Sequence, residues 1–313
     1  MKKLVSAAIC LIMSILFLTG CRRSVPEVRD RAYIQSAALY GKSNISLTLY
    51  PFEEEQKQET GIGATMADAL ENASTSFGKE VFLGHLELLC FDKADLTDKL
   101  SSLLYEQRIS PSCKLLFLYD TDLPEDCDMT LLTDRLIMEE ENGHIPETDL
   151  FHILSEKKSK DEAALIPAVT KEGLSMCILS SGNKPYILSV KAAQGLCWLR
   201  GKNYPERIAV NGEKGSEDYE IHSAKLKLSA EINENIPCIT ARIIIKGSGD
   251  EQAAKAVIES QCNAAARETI KLAKADVIGL FKCLARYCPE YYSKQETETV
   301  KWDAAIQCTV EFE

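Results

Sequence analysis

The sequence predicts an α+β protein in two unlike parts. Strands and helices alternate through the first part. A run of strands, one long helix and a closing strand make up the second, and the character changes near Thr170. The length of 313 residues suits two domains, or three small ones. The expected division is 1–20, 21–170 and 171–313.

The first segment is a processing signal. Met1-Lys2-Lys3 is a short basic start, and Leu4 to Leu18 is apolar apart from Ser6 and Ser14. The run is shorter than the ~20 residues of a membrane span and fits a signal peptide. It ends in Leu18-Thr19-Gly20-Cys21, the lipobox pattern of bacterial lipoproteins. Cleavage would leave Cys21 first, its thiol carrying a diacylglyceryl group. At ~0.8 kcal/mol per buried CH₂, a diacyl anchor holds firmly where one chain would not. The expected product is an ectodomain tethered outside the cytoplasm. Arg22, Arg23, Arg29 and Arg31 follow the anchor, as a solvated linker or as contacts to anionic headgroups.

Tyr33 to Tyr50 suggests two strands around the turn-rich Gly41-Lys42-Ser43-Asn44. Gly61-Ile62-Gly63 leads into a helix, where Thr65 and Asp68 have capping-box spacing. Met66, Ala69, Leu70 and Ala73 share one face of it, and Gly78 ends it. Val81 to Phe91 reads as strand with a break at Gly84. Leu96, Leu100, Leu103 and Leu104 make the next helix, and Cys113 to Tyr119 a short apolar strand. Asp120 to Asp128 is a solvated acidic loop. Met129 to Glu141 and Asp149 to Lys157 look helical, and Ala163 to Val169 extended.

In the second part, strands are expected at Gly173–Leu179 and Tyr186–Val190, around the turn Ser181-Gly182-Asn183-Lys184. Arg207–Val210, Tyr219–Ile232 and Cys238–Lys246 follow. One helix is expected from Glu251 to Tyr287, with a kink near Asp276-Val277-Ile278-Gly279 and a stop at Pro289. Ala304, Ile306, Cys308, Val310 and Phe312 alternate, as a strand buried on one face requires.

The composition narrows the chemistry. A net charge of −11 argues against a nucleic-acid partner, which needs a basic face. The 12 cysteines show no Cys-x-x-Cys pair, and most lie in apolar runs, as Cys90, Cys113, Cys177, Cys238 and Cys308 do. They read as reduced core thiols. Cys283 and Cys288 would point ~140° apart on a helix and read as core or flanking residues. His85, His144, His152 and His222 have no metal-ligand spacing. His85, in Phe82-Leu83-Gly84-His85-Leu86, reads as a satisfied core histidine. Gly61-Ile62-Gly63 lacks the third glycine and the lysine of a phosphate loop. No Gly-x-Ser-x-Gly elbow occurs. No catalytic residue, metal site or cofactor is expected.

Several segments, in order, resemble the Ger(x)C family, the lipoprotein C subunit of nutrient germinant receptors in endospore-forming bacteria. The lipobox Cys21 is followed by Arg22-Arg23-Ser24-Val25-Pro26-Glu27-Val28. Gly63 to Leu70 resembles a glycine–threonine–acidic-Ala-Leu helix start, and Lys79 to Leu89 a Gly-His strand. Gly173 to Leu199 resembles a passage ending in Gln-Gly-Leu and Trp-Leu. Asp276-Val277-Ile278-Gly279-Leu280, Tyr287-Cys288-Pro289 and Trp302 match the remainder. The tryptophan that the family places after its lipid-bearing cysteine is absent. The resemblance implies several small mixed α/β domains, each a central sheet with flanking helices. It implies a non-enzymatic receptor subunit on the outer face of the inner spore membrane, held through Cys21. Its partners would be the A-type and B-type integral membrane subunits. The alternatives are an extracytoplasmic solute-binding lipoprotein, which calls for two like lobes around a cleft, and an extracytoplasmic hydrolase, which calls for perturbed polar groups gathered in one pocket.

Overall fold

The computed structural model describes residues 30–41, 44–52, 57–92, 100–124, 127–157, 163–180, 184–212, 215–234, 236–294 and 305–313. Cys21 and the signal segment lie outside these residues, as do Leu96 and Trp302.

Among the described residues the first sheet contains nine strands: β1 (Arg31–Gly41), β2 (Ile45–Pro51), β3 (Glu59–Gly63), β4 (Glu80–Phe82), β5 (Leu88–Phe91), β6 (Lys114–Leu118), β7 (Ala163–Thr170), β8 (Gly173–Ser180) and β9 (Tyr186–Ile187). The order is β3-β2-β1-β5-β6-β7-β8-β9, with β4 also on β1. β1, β5, β6 and β7 run parallel, while β2 and β3 at one end and β8 and β9 at the other are antiparallel. β4 and β5 pair with successive stretches of β1, so the expected break at Gly84 separates two short strands on one neighbour. Parallel strands need crossovers. These carry α1 (Met66–Phe77), α2 (Leu100–Tyr105), α3 (Met129–Glu141) and α4 (Leu150–Lys157).

β5 and β6 are nearly continuous apolar runs because helices cover both faces. Leu88 and Cys90 enter one core while Leu89 and Phe91 enter the other. The core containing Leu89 and Phe91 also takes Ala69 and Ala73 of α1. The capping box forms as expected, with the Thr65 hydroxyl accepting from Asp68 N and the Asp68 carboxylate accepting from Thr65 N. Gly61-Ile62-Gly63 is part of a strand rather than a lead-in loop. A Cβ on Gly61 or Gly63 would strike the α1 backbone, so the glycines let the helix lie directly on β3.

The second sheet contains β10 (Arg207–Gly212), β11 (Gly215–Asn233), β12 (Ile236–Ser248) and β13 (Ala305–Phe312), in that order. The first three form a meander, and β13 lies parallel to β12. The crossover between β12 and β13 carries α6 (Glu251–Ala266), a π-helical turn (Arg267–Leu272), α7 (Leu280–Tyr287) and α8 (Pro289–Lys294). The single long helix of the sequence reading is therefore broken, and Pro289 opens α8, where a missing N–H costs nothing.

Between the sheets lies α5 (Val190–Arg200), in a stretch expected to end a strand. Only Tyr186–Ile187 is extended. Ser189 caps α5 by accepting from Ala192 N, and Gly201 ends it at φ 67°. Seven of its residues are buried, from Ala192 to Leu199. A helix buried all round shows no polar stripe, so its period was hidden. Its core joins Leu116 and Met176 of the first sheet to Ile239 and Ile243 of the second. The hairpin of β7 and β8 straddles position 170, and the first sheet continues to Ile187.

Candidate functional site

Three local constructions correspond to motifs singled out in the sequence. The first lies where the described chain begins. The Arg31 guanidinium stands 5.2 Å over the Phe82 ring and 3.9 Å from the Glu80 carboxylate. Phe82 packs edge-on to Tyr33 at 5.4 Å and to His85 at 5.6 Å. His85 is exposed and also meets the Tyr33 ring at 6.0 Å, so it is not the core histidine expected. Gly84 leaves room for the Phe82 ring, which a Cβ there would strike. The Gly-His pair thus shapes a surface aromatic cluster beside the start of β1.

The second joins the two sheets. Trp198 Nε1 donates to Gln261 Oε1 at 2.9 Å, and Gln261 Nε2 donates to Gln194 Oε1 at 2.8 Å. Trp198 is fully buried, so its N–H needs this partner. A side chain on Gly195 would run into the Gln261 carbonyl oxygen. Gln194, Gly195 and Trp198 therefore lock α5 against α6 at close approach.

The third explains the Asp-x-x-Gly motif. Asp276 Oδ1 accepts from Gly279 N at 2.8 Å, Leu280 N at 2.9 Å and Ile278 N at 3.3 Å, and Oδ2 accepts from Phe281 N at 2.7 Å. One carboxylate satisfies four amides at the start of α7, where negative charge is favoured. Gly279 sits at φ 89°, a left-handed conformation open to glycine. This cap orients α7, whose far end is fixed by the Cys288 thiol donating to the Ala230 carbonyl at 3.5 Å.

Between α7 and the strands β11 and β12 runs a groove of about 810 Å³. Lys227, Arg242, Lys282 and Arg286 line it, with Tyr287 at one wall, and no carboxylate among the described residues does. Lys227 and Arg242 stand opposite each other in the β11–β12 register. Arg242 pairs with Glu311 of β13, which raises the guanidinium pKa. The Arg286 guanidinium lies 5.6 Å over the Tyr287 ring. Sequence reasoning missed this groove, because its cations come from three elements.

The remaining expected residues stay dispersed. His144 meets Glu139 at 2.8 Å and His152 meets Asp149 at 2.8 Å, while His222 lies on β11. Among the described residues no three His, Cys, Asp or Glu side chains gather as a metal site. Burial pushes the thiols of Cys177 and Cys197 up to about 12 and those of Cys90 and Cys113 higher still, which makes them poor nucleophiles. Cys262 on α6 and Cys308 on β13 share a hydrogen bond, which raises the Cys262 pKa and lowers that of Cys308. No helix among the described residues is long and apolar enough to cross a membrane.

Comparisons place these features in a family. Residues 25–171 match the family model "Spore germination protein N-terminal domain". Residues 183–313 match "Spore germination B3/GerAC like, C-terminal". A solved structure described as the crystal structure of the GerBC protein is similar in fold, with a TM-score of 0.59 at 14% identity. That likeness covers 88% of this chain and 96% of the other. No curated protein matches.

Proposed function

Because this chain belongs to the GerAC-like family of spore germination proteins, we propose that it is the lipid-anchored C subunit of a nutrient germinant receptor. Cys21 carries the lipid after signal cleavage and holds the folded body on the extracytoplasmic face, which in the spore is that of the inner membrane. There it assembles with the A-type and B-type integral membrane subunits and contributes to triggering germination without catalysing a reaction. The observation that carries the reading is the pair of family matches, which together take in most of the chain after the lipobox. The first sheet runs through position 170 to Ile187, and the second begins at Arg207.

The solute-binding alternative requires two like lobes about a hinged cleft. The nine-stranded and four-stranded sheets differ in topology, and α5 packs into a core shared by both.

Two strains of a spore former that has no redundant receptor test the proposal, one lacking this gene and one carrying Cys21→Ala. The deletion should abolish the fall in optical density after nutrient addition. Cys21→Ala should move the protein from the membrane fraction to the soluble fraction. Unchanged nutrient germination in the deletion strain would refute the receptor role, and persistent membrane attachment of Cys21→Ala would refute the anchor.

A further inference from the structure

We propose that the cationic groove and the open edge of β11 beside it dock an extended acidic peptide segment of a partner protein. The edge is the first observation. β10 pairs only with Gly215 to Glu220 of β11. Ile221 N still donates to the Glu206 carbonyl at 2.8 Å, and among the described residues β11 has no strand neighbour on that side from His222 to Asn233. A strand edge without a neighbour is a template for another chain.

The shape of the groove is the second. Leu226, Lys227, Leu228 and Ser229 all line it. Successive strand residues point to opposite faces, so a groove touching four in a row, together with Thr240 and Arg242 of β12, spans the edge of β11 and the sheet face beside it. A smaller cleft of about 360 Å³ touches Ile221 to Ala224, where the register with β12 shifts, and is closed on its other side by Tyr204 to Arg207. The Leu226 backbone bonds the Tyr204 hydroxyl, and the Ala230 carbonyl accepts from Cys288. By the period of two, the amide and carbonyl of Leu228 point the same way, towards the groove.

Charge is the third. Four cations line the groove of a chain whose net charge is −11. Arg242 has Glu311, but no carboxylate among the described residues pairs with Lys227, Lys282 or Arg286. Complementary charge steers encounter and selects partners. An extended peptide meets both demands, its backbone on the edge and its carboxylates on the cations, as in strand addition. An anionic bilayer would meet the exposed cations but would give the backbone of β11 no partner. A lone phosphate would leave most of the groove empty.

The test uses the full chain in neutral detergent and a fluorescein-labelled hexaglutamate peptide, read by anisotropy. Binding should saturate, and it should collapse near 1 M salt, where the screening length is ~3 Å. Lys227→Glu with Arg286→Glu should weaken it roughly tenfold or more, and Lys282→Ala should weaken it less. Lys191→Glu, an exposed charge on α5, should leave it unchanged. Peptide should also slow amide exchange at Leu228. Absence of saturable binding would overturn the proposal and leave the lysines as guards against edge-to-edge pairing. Equal binding by the double variant would overturn it too. So would groove-dependent binding to phosphatidylglycerol vesicles without peptide binding, in favour of a lipid headgroup. None of these outcomes bears on nutrient germination, which tests the receptor role separately.

Discussion

Lys114 on β6 and Lys227 on β11 are both strand lysines, and the two sheets use them in opposite ways. Lys114 is largely buried, and its Nζ meets Glu140 Oε2 of α3 at 2.6 Å. Glu140 Oε1 also accepts from Thr148 N at 3.0 Å, so one carboxylate ties strand, helix and loop together. Lys227 is exposed and stands beside other cations at an edge. In the first sheet, helices on both faces leave a strand charge no water, and it must be paired. In the second, the strand beyond Glu220 has no strand on its outer side among the described residues, and its charges remain available to a partner. The same residue type is a structural tie in one sheet and a recognition element in the other.

The sharpest way to break this contrast is Lys114→Met. Removing one member of a buried pair leaves an uncompensated charge, and such changes cost ~3–5 kcal/mol. Chemical denaturation at neutral pH should show a loss of that size. Lys114→Met with Glu140→Leu should recover most of it. The pH dependence has a definite sign. Burial raises the Glu140 carboxyl above its ordinary value, against the opposing hydrogen bond and charge of Lys114. A carboxyl whose folded pKa exceeds its unfolded one favours the folded state at acid pH and loses that contribution as pH rises through the folded pKa. The deficit of Lys114→Met should therefore shrink on acidification. A deficit that grows would show that Glu140 is not the charge left behind.

The first sheet was largely legible in the sequence. Leu88 to Phe91 and Leu115 to Leu118 announce buried strands by unbroken apolarity, and Thr65 with Asp68 marks a helix start by local chemistry. Such signals lie within a few residues of one another. What escaped depended on contacts distant in sequence. α5 hid because both of its sides are buried, and β3 because its glycines serve a helix lying on it. The Asp276 segment was legible as a kink but not as a cap, since the sequence does not show where a carboxylate turns. The groove was illegible altogether, because Lys227, Arg242 and Lys282 acquire meaning only after β11, β12 and α7 converge.

Asp276→Ala probes that convergence with an intermediate effect. Loss of a capping side chain costs ~0.5–2 kcal/mol, and four amides lose their acceptor here, which points to the upper end. Because α7 carries Lys282 and Arg286, hexaglutamate binding should fall as well. Asp276→Asn keeps one oxygen acceptor and should fall between wild type and alanine in thermal unfolding. An Asp276→Ala variant as stable as wild type would show that packing of Leu280, Phe281 and Leu284 alone fixes the helix.

The smallest stability effect should come from Lys227→Glu. Surface substitutions away from caps, cores and buried pairs usually change stability by less than ~0.5 kcal/mol. Lys227 is such a residue, being exposed and without a carboxylate partner among the described residues. Reversing its charge beside Arg242, Lys282 and Arg286 replaces repulsion among cations with attraction, so the fold should hold or gain slightly. Denaturation should thus separate the two lysines by several kcal/mol, Lys114→Met unfolding readily and Lys227→Glu hardly at all. The contrast would reverse in a peptide-binding assay, where Lys227→Glu loses binding and Lys114→Met with Glu140→Leu keeps it. A Lys227→Glu variant destabilised as strongly as Lys114→Met would mean that the groove cations hold the second sheet together. The edge of β11 would then be a structural seam instead of a docking surface.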